Sequence, residues 1–247
     1  MNKLFVPFLI LVLLSGCSQE PSQSVRKETN NKKAQTYLDM GIEKYSLKDY
    51  TGAIQDYSKA IELNPKYAKA YYGRGSAKYS LNDERGAIQD YSKAIELNPE
   101  YVKAYRWRGV AKGILRDYAG AIQDFNEAIK INPEYAEAYF GRGLAKYFLN
   151  DERGAIQDYS KAIELNPEYV KAYYWRGLAK GILRDYAGAI QDFNEAIKIN
   201  PEYAEAYFGR GFAKYLLKDK SGALSDLNKA GELGYAKAYE LIRKIQK

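Results

Sequence analysis

An Asn-Pro pair recurs along this chain every 34 residues, at Asn64-Pro65, Asn98-Pro99, Asn132-Pro133, Asn166-Pro167 and Asn200-Pro201. Proline lacks an amide hydrogen and pushes the residue before it out of the helical region. Each pair therefore stops a helix at a fixed place. A period in this range is that of a solenoid, whose unit cannot bury its apolar face alone and must stack on its neighbours. Six units follow: 34–67, 68–101, 102–135, 136–169, 170–203 and 204–237.

The second unit shows the physics. Two helical segments flank Asn82-Asp83, and Asp83 stands where an N-cap belongs, ready to accept from the free amides of the second helix. Pro99 begins the next unit, where its missing amide costs nothing. Gly75, Ala87 and Ala94 are small enough to let two helices approach closely, and Tyr71 and Tyr91 fill the remaining space. The recurring Gly-Arg-Gly at 73–75, 141–143 and 209–211 lies inside the first helix, so its amides are committed to that helix and form no phosphate cradle. Arg74, Arg108, Arg142, Arg176 and Arg210 are expected to pair with Asp90, Asp124, Asp158, Asp192 and Asp226 across the two helices of each unit. Trp107 and Trp175 are expected to pack into the neighbouring unit.

With Ala68 as position 1, the large residue at 4, Gly at 8, Ala at 20, aromatic at 24, Ala at 27 and Pro at 32 are Tyr71, Gly75, Ala87, Tyr91, Ala94 and Pro99. This pattern resembles the tetratricopeptide repeat. Five units fill all six positions; the sixth has Leu227 for the aromatic and Tyr235 for the proline. The resemblance implies an all-α protein, a right-handed α-solenoid of six helix pairs whose first helices line a concave groove. The apolar spacing after Ala236, continuing through 238–247, predicts a helix that caps the open end.

The N-terminus reads as an address. Lys3 is followed by an apolar run, Leu4 to Leu14, too short for a permanent span. Leu14-Ser15-Gly16-Cys17 resembles the lipobox of bacterial lipoproteins, in which the signal (here 1–16) is removed and the cysteine acylated. The resemblance makes Cys17 a lipid anchor and places the protein in the cell envelope, on the outer membrane of a Gram-negative cell because Ser18 follows. Several acyl chains at about 0.8 kcal/mol per buried CH₂ hold a protein stably. Residues 18–33 contain one large apolar residue, Val25, so 17–33 is expected to be a lipidated cysteine and flexible tether.

Units two and three are nearly duplicated as units four and five. The differences are Lys69/Glu137, Tyr72/Phe140, Ser76/Leu144, Ser80/Phe148, Arg106/Tyr174 and Val110/Leu178. All lie at unit positions 2, 5, 9 or 13, one stripe of the first helix, which the resemblance assigns to the groove. Drift on solvent would also touch the second helices, and those are unchanged. The sixth unit adds Phe208, Phe212, Tyr215 and Leu216, so the groove is expected to become more apolar toward the C-terminus. Position 12 alternates Tyr79, Gly113, Tyr147, Gly181 and Tyr215, which predicts shallow pockets over Gly113 and Gly181 walled by the tyrosines. Such a patch fits a helix or extended peptide with regularly spaced apolar side chains.

Composition narrows the function. The chain has no histidine and one cysteine, which removes the commonest general base and the usual metal ligands. No catalytic, metal or cofactor site is expected. The net charge of +7 is interspersed with acids, which argues against a nucleic-acid surface. The reading is a membrane-tethered scaffold whose groove captures an apolar or aromatic segment of another protein. The alternative is a self-assembling lipoprotein whose groove binds the C-terminal helix of another copy around Tyr239, Leu241 and Ile242.

Overall fold

A computed structural model describes residues 23–246, and every regular element among them is an α-helix. Six antiparallel pairs follow one another: α1 (Gln23–Ser46) with α2 (Tyr50–Leu63), α3 (Ala68–Ser80) with α4 (Glu84–Leu97), α5 (Val102–Ile114) with α6 (Tyr118–Ile131), α7 (Ala136–Phe148) with α8 (Glu152–Leu165), α9 (Val170–Ile182) with α10 (Tyr186–Ile199), and α11 (Ala204–Leu216) with α12 (Lys220–Glu232). A single helix, α13 (Lys237–Gln246), closes the stack. The expected signal sequence (1–16), Cys17 and residues 18–22 lie outside the described residues.

The turns are built by local chemistry. Each first helix ends on a left-handed residue, from Lys48 (φ 64°) and Asn82 (φ 59°) to Lys218 (φ 69°). The next residue is the expected aspartate cap. Asp83 Oδ1 accepts from the Gly86 amide at 2.9 Å, and the equivalent aspartate does the same in all six pairs. The second helices stop at the Asn-Pro pairs with the asparagine in extended conformation, as at Asn98 (φ −142°). The asparagine side chain then accepts from the amide two residues on, for example Glu100 at 3.2 Å.

Two contacts repeat through the stack. The first is a ring held between glycines. A Cβ on Gly75 would stand 2.9 Å from the Tyr91 ring of its own pair, and one on Gly73 would stand 2.7 Å from the Tyr57 ring of the preceding pair. Phe125 and Phe193 are gripped similarly by Gly109 with Gly141 and by Gly177 with Gly209. The second is a buried carboxylate. Asp90 is 4% exposed and receives Arg74 Nε at 3.0 Å, Arg74 Nη2 at 2.7 Å and Lys78 Nζ at 2.8 Å. The same Arg-Asp pairing holds for Asp124, Asp158, Asp192 and Asp226, as expected, and each also receives a lysine from the first helix, which the sequence reading missed. The third arginine nitrogen reaches the preceding pair: Arg74 Nη1 donates to Ser58 Oγ, Arg108 to Ser92 and Arg142 to Asn126. One side chain thus joins three helices.

The ends depart from this scheme. In the first pair Met40 stands in the arginine position, and Asp56 is met by Lys44 at 2.5 Å. No pair precedes it, so there is nothing to bridge. At the other end Gly234 (φ +94°) turns the chain in the place of the asparagine, with Tyr235 in that of the proline. Ala238, Ile242 and Ile245 of α13 then pack on Leu227 and Ala230. Ile242 is therefore buried against its own chain and is not available to another copy, unlike Tyr239, which is 48% exposed.

Residues 23–33 correct one expectation. They belong to α1, so a flexible tether does not extend to Lys33. Scarce apolar residues exclude a core, but they do not exclude a helix. Once Ala34 and Leu38 are packed, each further residue adds one backbone hydrogen bond without the cost of nucleation. Glu28 and Lys32 add an ion pair of 2.8 Å one turn apart. No described helix is long and apolar enough to cross a membrane.

Removing the buried carboxylate leaves two half-buried cations unmatched. Asp158→Leu is expected to cost about 3–5 kcal/mol. A double-mutant cycle with Arg142→Met, followed by urea unfolding, is expected to return a coupling above about 1 kcal/mol. Additive effects would mean that the pairing contributes nothing.

Candidate functional site

The first helices of successive pairs touch one another in series, whereas the second helices meet chiefly the first helices of their own and the next pair. The first helices therefore hold the inside of the curve. Their inward stripe is the one along which the duplicated units differ.

Three cavities open along it. One of about 340 Å³ lies over Gly113, with Val110 and Leu144 at its sides and Phe125 beneath. A second, of about 370 Å³, lies over Gly181 between Leu178 and Phe212, with Phe193 beneath. A Cβ on Gly113 or Gly181 would meet nothing within 4 Å, unlike the ring-gripping glycines. The expected pockets therefore exist, but their walls differ in part. Tyr118 and Phe148, stacked at 5.3 Å, wall the Gly113 pocket, not the neighbouring position-12 tyrosines. Tyr118 comes from the second helix and carried no groove signal in the sequence. At Gly181, Tyr147 and Tyr174 do contribute, together with Phe208 and Leu216. The two pockets exchange their large residues: Leu144 and Phe148 in one correspond to Phe212 and Leu216 in the other.

The third cavity corrects the expected gradient. It has about 320 Å³, lies at the N-terminal end, and is lined by Tyr45, Tyr57, Tyr72, Tyr79, Tyr91 and Trp107. Ser76 and Ser80 were read as polar surface. Instead Ser76 Oγ donates back to the Tyr72 carbonyl at 3.0 Å and Ser80 Oγ to the Ser76 carbonyl at 3.1 Å. With their hydroxyls turned onto the helix, the small side chains uncover the rings behind them. Exposed large aromatics on the groove stripe, Phe148, Phe212 and Tyr215, still belong to the C-terminal half.

Of the remaining groove candidates, Phe140 is a packing residue. Phe140 lies between Tyr159 and Tyr169, at 5.8 and 4.9 Å, and lines none of these cavities. Trp107 meets Tyr79 of the preceding unit at 5.3 Å, and Trp175 meets Tyr147 at 5.2 Å, as expected. The guanidinium of Arg106 stacks over Trp107 at 4.5 Å. Burial pushes the Tyr57, Tyr101, Tyr169 and Tyr203 hydroxyls up to about 12, so these groups stay neutral at physiological pH. No described group of three His, Cys, Asp or Glu side chains is arranged to hold a metal.

Models of the TPR repeat match residues 41–82, 116–150, 149–181 and 184–218, and a tetratricopeptide repeat model matches 68–101. The chain belongs to the tetratricopeptide repeat family. A comparison with curated proteins finds no match. Among solved structures it is similar to that of MamA, at 26% identity and a TM-score of 0.64, covering 70% of this chain and 95% of that one. The structure of Pseudomonas aeruginosa pilF has the same fold at 17% identity and a TM-score of 0.75, with coverage of 87% and 99%. So does YrrB, described as a TPR protein with an unusual peptide-binding site, at 23% identity and a TM-score of 0.64, with coverage of 76% and 97%.

The duplication leaves a natural contrast. Tyr91 donates to Ser76 Oγ at 3.3 Å, whereas its counterpart Tyr159 faces Leu144 in place of the serine and its hydroxyl has no partner. Tyr91→Phe is expected to cost about 0.5–1.5 kcal/mol, and Tyr159→Phe to be neutral or stabilising. Thermal unfolding of the two variants side by side checks the sign of the difference.

Proposed function

We propose that this chain is a membrane-tethered scaffold of the bacterial envelope that captures an apolar or aromatic peptide segment in its concave groove. The observation that carries the reading is the pair Gly113 and Gly181. Glycine in a helix costs up to about 1 kcal/mol relative to alanine, and here no packed neighbour requires it. Four of the six units carry tyrosine at the same position, so a side chain fits the backbone there. What the two glycines do is leave room over Phe125 and Phe193 for an apolar group from outside. YrrB, a neighbour in fold, is named for binding a peptide, which supports a binding role over a catalytic one.

Gly113→Leu with Gly181→Leu fills both pockets from within. The double variant is expected to keep its circular dichroism spectrum and its melting temperature or raise it. In cross-linking from the native envelope it is expected to lose the protein that the wild type captures. Equal capture by both would end the groove reading.

The tether is the second part of the proposal. A lipid-modified cysteine at the small-residue boundary of an apolar run accounts for a lone cysteine placed at Cys17. The groove then works at the membrane surface, on the outer membrane in a Gram-negative cell. Cys17→Ser is expected to move the protein from the detergent phase to the aqueous phase on phase partition and to abolish labelling with radioactive palmitate. Unchanged partition would remove the anchor.

Self-association through the groove is the competing use. The burial of Ile242 weakens it, since the C-terminal helix holds back much of its apolar face.

A further inference from the structure

Arg106 is anomalous among the arginines. Arg74, Arg108, Arg142, Arg176 and Arg210 are half-buried and each pairs with a buried aspartate. Arg85, Arg116, Arg153, Arg184 and Arg243 are exposed to water. Arg106 is half-buried in the groove, its Nε is shielded from solvent, and that nitrogen has no hydrogen-bond partner. Its neighbours are rings: the guanidinium lies 4.5 Å from the Trp107 centroid and 5.9 Å from that of Tyr135. A shielded donor without an acceptor costs free energy, and a charged one more.

The surroundings repeat the imbalance. Groove positions of the second and third units carry Lys69, Lys103 and Arg106, and an acid first appears in the stripe at Glu137. Glu137 is exposed and forms no ion pair with Arg106. The duplicate of Arg106 is Tyr174, which packs on Trp175 and Tyr203 at 5.9 and 5.2 Å. The two glycine pockets are built alike, and this substitution gives a cation to the unit that holds one of them and not to the other.

We infer that the partner is a peptide segment with a carboxylate beside its apolar anchors, and that Arg106 receives this carboxylate. The inference rests on the groove reading above. Two apolar pockets carry no charge to fix the direction of such a segment. The Arg106/Tyr174 difference selects one, with the acidic end toward the N-terminal half of the solenoid. The apolar anchors fill the space over Gly113 and Gly181, and the acid meets the Arg106 guanidinium from the groove side. An arginine held over an indole loses little freedom on accepting a carboxylate in this way.

The test uses the full chain in detergent and a displayed library of random peptides about 12 residues long, which reach about 40 Å when extended. The wild type is expected to enrich peptides with two apolar residues and an Asp or Glu on a constant side of them. Arg106→Gln is expected to keep the apolar preference and lose the acidic one. Arg106 lies outside the Arg-Asp ladder, so the fold is expected to survive, with circular dichroism as the check. A selected peptide is expected to bind the wild type about tenfold tighter than its Glu→Gln version, the difference vanishing in Arg106→Gln. Trp107 and Trp175, the chain's two tryptophans, supply the fluorescence readout. Apolar enrichment without an acid, or an acid preference unchanged in the variant, overturns this inference and leaves the groove reading standing. No enrichment at all overturns both, and a dimer by light scattering would then assign the groove to a second copy.

Discussion

The whole arrangement hangs on a carboxylate taken out of water. An aspartate buried as deeply as Asp90 or Asp158 is expensive to desolvate, and its attraction to a cation repays that only when the geometry is good and the remaining lone pairs are occupied. Here both conditions hold. From the second pair onward each aspartate has an arginine across both oxygens and a lysine on one of them, as at Asp90. Because the same arginine donates to the second helix of the preceding pair, the cluster fixes the angle within a pair and the register between pairs together. Those two quantities determine how closely successive first helices approach, and hence the shape of the groove. The tyrosine at position 4 adds a ring about 5.3–5.6 Å from each guanidinium, which keeps its face covered.

That division of labour explains why fold and site were unequally legible in the sequence. Each structural residue acts on a partner at a fixed offset, so a 34-residue period displays it several times over. Asp83 and Gly86, Arg74 and Asp90, Asn98 and Pro99 could all be placed by counting. The groove is different, because its residues are the ones that do not repeat. Ser76 and Ser80 looked polar on a stripe, but only the structure shows their hydroxyls turned back onto the helix with aromatic rings laid open behind. Tyr118 sits on a second helix, in a class of position assigned to the outer wall, yet its ring stacks on Phe148. Arg106 was visible as a difference between copies. Its lack of an acid could not be seen, since that depends on what every neighbouring helix presents.

The first helix shows the same limit in another form. Composition gives residues 23–33 few apolar side chains to bury, but helix formation from an existing helix is a local matter. A 24-residue α1 is about 36 Å long, and its N-terminal part projects as a helical arm beyond the packed stack. Under the lipid-anchor proposal this helix takes the place of residues 23–33 of the expected coil. The groove is then held off the membrane over a narrower range of distances than a coil from Cys17 to Lys33 would allow.

Separating stability from recognition also accounts for how the duplicated units could diverge. Positions 4, 6, 7, 8, 11, 23 and 24 carry the rings, the glycine grip and the ion cluster, and substitutions there disturb two pairs at once. Positions 5 and 9 touch the ring at position 24, but positions 2, 5, 9 and 13 carry neither the glycine grip nor the ion cluster. A serine can become leucine, as between Ser76 and Leu144, at the expense of one hydroxyl left without a partner on Tyr159. An arginine can become tyrosine, as between Arg106 and Tyr174, with the stack intact on either side. The Tyr159 hydroxyl contributes no hydrogen bond to stability. A chain tuned for stability alone would carry phenylalanine there, as units three and five do at the same position with Phe125 and Phe193. The groove residue differs between the copies, Ser76 against Leu144, while the structural residue behind it, Tyr91 or Tyr159, stays the same.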